Sequence, residues 1–472
     1  MTVPKTSSRT NRTDRPWWIL LILLPGVWAL LARPLIPLEE TRAVGVAWEM
    51  WLRNDFLVPY MNGAPYSHKP PLLFWLIHLG WSLFGVSDWW PKIVGPLVTF
   101  VATVLTWRLA GEMRPDDHRF RTLTAWLMAG SLGWIFYGQM LMYDALLTAC
   151  VLLGLLGVWR AGATRTTAGG WLLIAAGLGL GVLAKGPVAL VHILPVLLLG
   201  PVWSETARAR PGGWYLKSIL ALLGGLLIAG IWAGLAATLG GDEYARAILL
   251  EQTSGRVVNS FAHQRPWWVY LVFAPALVLP WALMPGSWRA LGRDNSKPER
   301  RFLLCWALGS LFVLSLVSGK QPHYAVPELP AIALLIAGGL SATYTARRVA
   351  GRAVASVVVL LAIATVLFIP MHGYNEYDMT PPGKLAAALQ RAGTPVATTP
   401  SYKNQLAFPG RLEQPLITLE RSDMAHWLRQ NPDGVIVTFK EKLPDSLALQ
   451  AFERFPYRRG EIEFLRRKEG AP

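Results

Sequence analysis

The sequence predicts an all-α polytopic membrane protein of about eleven transmembrane helices, followed by a small C-terminal α/β domain. Three observations carry this. Hydrophobic residues make up 53% of the 472 and charged residues only 16%, with a mean hydropathy of +0.34. A soluble chain of this length carries more charge and shorter apolar runs. Apolar runs of about 20 residues, the length that crosses a bilayer, recur through residues 17–370. Every second gap between them is basic.

The runs lie near 17–34, 89–110, 122–141, 143–160, 169–185, 187–203, 215–237, 266–284, 302–318, 323–345 and 350–370. Residues 1–16 hold Lys5, Arg9, Arg12 and Arg15 and read as a cytoplasmic basic tail. No small-residue cleavage site follows the first run, which ends in Arg33-Pro34, so it reads as an uncleaved anchor. With the N-terminus inside, the cytoplasmic gaps hold Arg114, Arg119 and Arg121; then Arg160 and Arg165; then Arg208, Arg210 and Lys217; then Arg289, Arg293, Lys297, Arg300 and Arg301; then Arg347, Arg348 and Arg352. This is the positive-inside pattern. It accounts for the net charge of +16 without a nucleic-acid partner, which would need the cations in one stripe. The 23 Trp suit the membrane interfaces. Cys150 and Cys305 both sit in apolar runs and read as small core residues.

Two outward gaps are long, about 35–88 and 238–265. In the first, Glu40 to Leu52 has helical periodicity, and Pro71 to Phe84 is apolar but short for a span. Both read as helices along the outer membrane surface. From about Met371 the apolar runs shorten to strand length: Pro395 to Thr399, Pro415 to Leu419, Val435 to Phe439 and Glu461 to Leu465. Helical patterns fall between them at Gly383 to Ala392, at Asp423 to Gln430 with Ser422 as cap, and at Asp445 to Phe455. The alternation predicts an α/β domain over 371–472, outside the cytoplasm because the number of spans is odd.

Charge near a span is costly, about 2.5–3.5 kcal/mol at a helix centre, so charges that persist there call for a reason. The outward gaps hold Glu39, Glu40 and Arg42; Tyr66, His68 and Lys69 in the stretch Asn62 to Pro71; Asp144; Lys185 before Gly186-Pro187; Arg256 and His263; and Lys320 with Tyr324. Each has a structural reading: acids at a helix start, a snorkelling Lys69, an N-cap at Asp144, a C-terminal cap at Lys185. Together they put Arg42, Lys69, Lys185, Arg256 and Lys320 on one side of the membrane with Glu39 and Asp144. Several cations around acids at headgroup depth suit an anionic lipid headgroup and a reaction at it.

In this order the motifs resemble those of the lipid-linked-sugar glycosyltransferases of the dolichyl-phosphate-mannose protein mannosyltransferase superfamily, the GT-C fold, and within it the aminoarabinose lipid A transferase type. The matching segments are Glu39-Glu40-Thr41-Arg42, Asn54 to Pro59, Asn62 to Trp75, Lys185 to Pro187, Pro266 to Tyr270 and Lys320 to Pro327, in consistent order over about residues 17–340. The resemblance implies a sugar donor on a polyprenyl phosphate and an acceptor, lipid or protein, on the periplasmic face of a bacterial inner membrane. It implies that Arg42, Lys69, Arg256, Lys320 and Tyr324 hold the donor phosphate, that Glu39 and Asp144 are the catalytic acids, and that Glu40, Tyr66, His68, Lys185 and His263 line the site. Cations on the leaving phosphate make a divalent metal dispensable, so no cofactor is required. His68 with His263 is the one pair that suits a metal role. Two positions depart from the family pattern. Glu39 stands where an Asp is usual, shifting the carboxylate by roughly an ångström, and His68 stands where many members have an acid or an aromatic. Glu39 is then either a base or an orienting group for the acceptor. The other readings are a lipid or sugar transporter without transfer chemistry and a sensor built on the C-terminal domain. Transporters place charge at the midplane and show inverted repeats, whereas here the charge gathers at one surface.

Overall fold

The computed structural model describes residues 16–162, 168–248, 265–291, 296–341, 344–368 and 374–468. Arg256 and His263 lie outside the described residues, as do the basic tail through Arg15, Arg165, Arg293 and Met371. The helices of the membrane part are α1 Trp18–Ala32, α2 Glu40–Arg53, α3 Leu72–Phe84, α4 Trp89–Met113, α5 His118–Gly130, α6 Leu132–Gly138, α7 Tyr143–Gly162, α8 Ala168–Lys185, α9 Ala189–Leu198, the short α10 Gly200–Trp203 and α11 Glu205–Ala209, α12 Pro211–Arg246, α13 Val269–Leu277, α14 Pro285–Leu291, α15 Pro298–Leu316, α16 Leu329–Leu340 and α17 Ala346–Phe368. Among the described residues, five helical stretches are long and apolar enough to cross a membrane: Trp89–Met113, Tyr143–Gly162, Pro211–Arg246, Pro322–Leu340 and Ala346–Leu367. Trp18–Ala32, Leu72–Phe84, Gly169–Lys185 and Ala189–Leu198 are apolar but shorter.

Two of the expected runs are not continuous helices. Run 122–141 breaks into α5 and α6 at Ser131, which is extended. Run 266–284 breaks into α13 and a 3-10 turn, Trp281–Leu283, after Pro280. The two breaks face each other. Leu132 N donates to Leu279 O at 2.8 Å, and Trp281 Nε1 donates to Leu127 O at 2.8 Å and to Ser131 Oγ at 3.1 Å. Non-helical backbone is tolerated in an apolar setting when another element meets its polar groups, as here. Helices α7 and α8 pack backbone to backbone. A Cβ on Gly177 would meet Gly154 N at 2.3 Å, so only glycine allows this approach.

The first long gap, about 35–88, holds the two expected helices, α2 and α3. Between them β1 Tyr60–Met61 and β2 Ala64–Pro65 form a hairpin. Its turn is Asn62-Gly63, both at positive φ (52° and 85°), the conformation that Asn-Gly favours in two-residue hairpin loops. Asp55 Oδ1 accepts from Leu57 N and Val58 N at 3.0 and 3.1 Å, and Trp232 Nε1 of α12 donates to Leu57 O at 3.0 Å. The Asn54 to Pro59 motif is thus a turn pinned against α12.

The C-terminal part holds α18 Thr380–Arg391, β3 Val396–Thr398, α19 Ala407–Gly410, β4 Ile417–Thr418, α20 Met424–Gln430, β5 Val435–Phe439, β6 Leu449–Tyr457 and β7 Gly460–Arg467. The strands form one sheet in the order β4-β3-β5-β7-β6. β3 is parallel to β4 and β5, while β7 is antiparallel to β5 and β6. The expected helix over Asp445 to Phe455 is wrong: a 3-10 turn, Asp445–Leu447, leads into β6. A bulge between Ala451 and Glu453 explains the misreading. It brings Phe452 and Phe455, three apart, onto the same ring of Phe464, 6.4 and 5.8 Å between centroids. A bulged strand has imitated the helical period. Ser422 is not the cap of α20 either. The cap position is Asp423, and Ser422 Oγ bonds Asp423 Oδ1 at 3.0 Å.

This C-terminal part is docked firmly on α2, α3 and the hairpin between them. Phe408 stacks on Trp81 with centroids 5.1 Å apart. Trp48 Nε1 donates to Leu412 O at 2.8 Å. Asn62 exchanges two hydrogen bonds with the Leu416 backbone, both 2.8 Å.

Candidate active site

The chain leaves α1 at Arg33 and enters α2 at Glu40, and one ion pair shapes this turn. Glu40 is fully buried. Its carboxylate takes both Arg33 Nη atoms, at 2.5 and 2.8 Å, and accepts from Ile36 N and Leu141 N, each at 2.8 Å. Arg33 also donates to Gln139 O at 2.7 Å. Glu40 therefore clamps the α1–α2 turn to the α6–α7 loop. It does not line an open site, because its oxygens are spent on the clamp. Its neighbour Glu39 is exposed.

Lys185 ends α8 and forms an ion pair with Asp144, in the first turn of α7. Asp144 is 2% exposed. The Lys185 ammonium lies 4.7 Å from the centre of the Tyr324 ring. His323 meets Tyr324 edge-on at 4.8 Å, and Tyr137 lies 5.9 Å from His323. Lys69 Nζ stands 5.0 Å from the centre of the Tyr143 ring. Tyr66 is buried and stacks on His68 at 5.3 Å. Glu39, Lys69, Asp144 and Lys185 all lie within electrostatic reach of His323, and Glu39, Arg42 and Tyr66 within reach of Tyr143. The fold therefore brings together Glu39, Arg42, Tyr66, Lys69, Asp144, Lys185 and Tyr324, from α2, the hairpin loop, α7, α8 and the turn before α16. His68 joins them through its stacking on Tyr66.

Lys320 is placed differently. It is buried, and Nζ donates to Val317 O at 2.5 Å and Arg265 O at 3.2 Å, so it ties two turns together. Arg265, which sequence reasoning passed over, lies within reach of Tyr137 alongside Asp144. Sequence reasoning also missed His192 and Glu328. His192 Nδ1 of α9 meets Glu328 Oε1 at 2.6 Å, with both side chains buried. Glu328 ends the 3-10 turn Pro322–Glu328, which carries His323 and Tyr324. Each of the pair looks ordinary alone, one histidine in an apolar run and one glutamate beside a proline. The signal was the cost of an ionisable group within an apolar stretch. Among the described residues no group of three or more His, Cys, Asp or Glu side chains is arranged to hold a metal ion.

Residues 68–232 match the family model described as dolichyl-phosphate-mannose-protein mannosyltransferase. Over 343 residues, 69% of this chain, the sequence is 32% identical to the undecaprenyl phosphate-alpha-4-amino-4-deoxy-L-arabinose arabinosyl transferase of Pseudomonas paraeruginosa; the match spans 60% of that relative's own length. The fold is similar to that of ArnT from Cupriavidus metallidurans, solved bound to undecaprenyl phosphate, with a TM-score of 0.71, 18% identity, and coverage of 95% of this chain and 97% of that one. The Archaeoglobus fulgidus oligosaccharyltransferase is a more distant likeness, with a TM-score of 0.51 and 12% identity over 89% of this chain and 67% of the other. The chain is thus similar over residues 68–232 to the dolichyl-phosphate-mannose-protein mannosyltransferase family, over about two thirds of its length to undecaprenyl phosphate-aminoarabinose arabinosyl transferases, and in fold to ArnT.

Proposed function

We propose that the protein is an inverting glycosyltransferase. It moves a sugar from a polyprenyl-phosphate donor to a lipid A-type or other envelope acceptor on the periplasmic face of a bacterial inner membrane. The observation that carries this is the gathering of Lys69, Lys185 and Arg42 with Glu39 and Asp144 around Tyr143 and His323. Cations from separate elements, one of them held by its ion pair with Asp144, form a preorganised seat for a phosphate that gains charge as it leaves. The names of the sequence relatives, which specify an undecaprenyl phosphate-linked aminosugar, support that donor class. The ArnT structure bound to undecaprenyl phosphate supports the carrier.

In this reading the acceptor oxygen attacks C1 of the donor sugar from the face opposite the phosphate. The C1–O bond to phosphate breaks, the configuration inverts, and polyprenyl phosphate leaves. Arg42, Lys69, Lys185, Arg256 and Tyr324 stabilise the leaving phosphate, while Lys320 ties the turns at Val317 and Arg265 together. Glu39, the exposed acid, takes the acceptor proton or orients the acceptor. Asp144 holds Lys185. No cofactor enters the step. Residues 17–370 form the membrane domain with about eleven crossings, 1–16 the cytoplasmic tail and 371–472 the periplasmic domain. The docking of residues 402–416 on the outward gap that carries Glu39 supports a common side for the two.

The test is transfer of a radiolabelled sugar from polyprenyl phosphate by purified protein in proteoliposomes. Wild-type protein transfers label to the acceptor, and Lys69→Ala and Glu39→Ala fold normally but do not. Undiminished transfer by both variants overturns the proposal.

A further inference from the structure

Strands β6 and β7 are joined by a two-residue loop, Arg458-Arg459, between the paired residues Tyr457 and Gly460. Both loop residues sit at positive φ, 42° and 65°. Loops of this length favour Asn-Gly, because a larger side chain at positive φ is strained. The chain's other two-residue hairpin follows that preference with Asn62-Gly63. Here two arginines take the strained positions instead. Solubility is served as well by arginines on the flanking strands, without that strain.

The loop is held from two sides. Glu376 accepts from both loop amides, its carbonyl oxygen from Arg458 N and its Oε2 from Arg459 N, each at 3.2 Å. Lys440, just after β5, crosses over Gly460, where an added Cβ would lie 2.7 Å from Lys440 Cγ. Its ammonium donates to Arg458 O. Lys440, Arg458 and Arg459 are all exposed. They bring three positive charges to the tip against the one carboxylate of Glu376. The carboxylates of Glu461 and Glu463 face Arg454 instead, at 3.9 and 3.0 Å.

The segment that carries Glu376 fixes where this tip stands. Two residues earlier, Tyr374 donates to Ala364 O of α17 at 3.0 Å and meets Trp28 of α1 edge-on at 6.4 Å. Ala364 and Trp28 each lie about one turn from the end of their helix. α17 is long and apolar enough to cross a membrane. Leu31, Val366 and Leu367, at these same helix ends, are exposed apolar side chains. Two residues of chain reach at most about 7 Å, so the tip stands within about 10 Å of the edge of the apolar band. Lipid headgroups occupy that layer. Trp and Tyr, as at Trp28 and Tyr374, are the residue types that favour it.

We propose that Arg458, Arg459 and Lys440 form a seat for the phosphate headgroups of anionic membrane lipids, which holds the C-terminal part on the bilayer beside α1 and α17. A guanidinium meets a phosphate with two parallel N–H donors, and the clamped loop carries two guanidinium groups on adjacent residues. None of these residues belongs to the transfer site, so this assignment and the glycosyltransferase reading stand or fall separately. The test is hydrogen exchange of full-length protein in phosphatidylcholine nanodiscs, with and without phosphatidylglycerol. The Tyr457–Gly460 amides of wild-type protein should exchange roughly 30-fold more slowly with the anionic lipid present. That corresponds to about 2 kcal/mol, the worth of two arginines at an anionic surface. Arg458→Asn combined with Arg459→Gly removes both cations and suits the turn. The double variant should match or exceed the wild-type Tm in detergent and lose the lipid dependence. Equal exchange of wild-type protein in both lipids overturns the proposal, and so does the same slowing in the double variant. Slowing by inorganic phosphate in phosphatidylcholine nanodiscs overturns it as well, in favour of a site for a free anion.

Discussion

Lys185, at the end of α8, is paired with Asp144, at the start of α7, with the Tyr324 ring 4.7 Å from its ammonium. Asp144 is nearly inaccessible, so neither charge can be removed alone without stranding the other. Lys185→Ala is expected to lower the rate of sugar transfer by about 10²–10³-fold, the usual loss for one preorganised donor at a developing charge. The double variant Lys185→Gln with Asp144→Asn should be more stable than Lys185→Ala and equally slow. Tm and single-turnover rates check both; a double variant less stable than the single one would contradict the pairing argument.

Two adjacent glutamates have opposite fates. Glu40→Gln leaves Arg33 buried without its counter-charge, which costs about 3–5 kcal/mol. Its Tm should drop and expression should fall. Glu39→Gln removes an exposed carboxylate, so Tm should hold while transfer is lost. Thermal unfolding beside a transfer assay separates the two, and equal loss of stability in both would refute the division of roles.

The C-terminal part is held to α2 by close approach. A Cβ on Gly45 would lie 2.9 Å from both Cβ and the carbonyl oxygen of Asn404. Gly45→Val should therefore separate the two surfaces, opening the Asn404–Gln414 segment to limited proteolysis. An unchanged digestion pattern would show that the interface tolerates the added bulk.

His192 and Glu328 form a buried pair remote in sequence from the acids of the site. Glu328→Ala should destabilise the protein by about 1–3 kcal/mol, because it leaves the buried His192 Nδ1 without its hydrogen-bond partner. It should also slow transfer, because the same 3-10 turn carries His323 and Tyr324. Glu328→Gln, which can still bond His192, should recover most of both. If Glu328→Gln is as slow as Glu328→Ala while fully stable, charge and not positioning is what matters there.

The helical membrane part, the α2 and α3 helices of the first long gap and the sheet at the C-terminus were all legible in the sequence. They follow from local composition: apolar runs, helical periodicity, an Asn-Gly turn and short β-rich stretches. Asp445 to Phe455 was misread because a bulge put Phe452 and Phe455 on one face at helical spacing. The continuity of runs 122–141 and 266–284 was misread because their breaks are stabilised by each other's backbone, which no local pattern records.

For the site, the sequence alone singled out the candidate chemical groups, since charges in apolar surroundings stand out one by one. Only the tertiary structure decided which of them act together. It turned Glu40 inward onto Arg33 and left Glu39 exposed. It spent Lys320 on two carbonyls, and it joined Lys185 to Asp144 and His192 to Glu328. The physical reason is that a side chain's availability depends on partners that arrive from distant positions in the chain. Leu141 N reaches Glu40 across 101 residues, and Asn404 reaches Glu49 across 355.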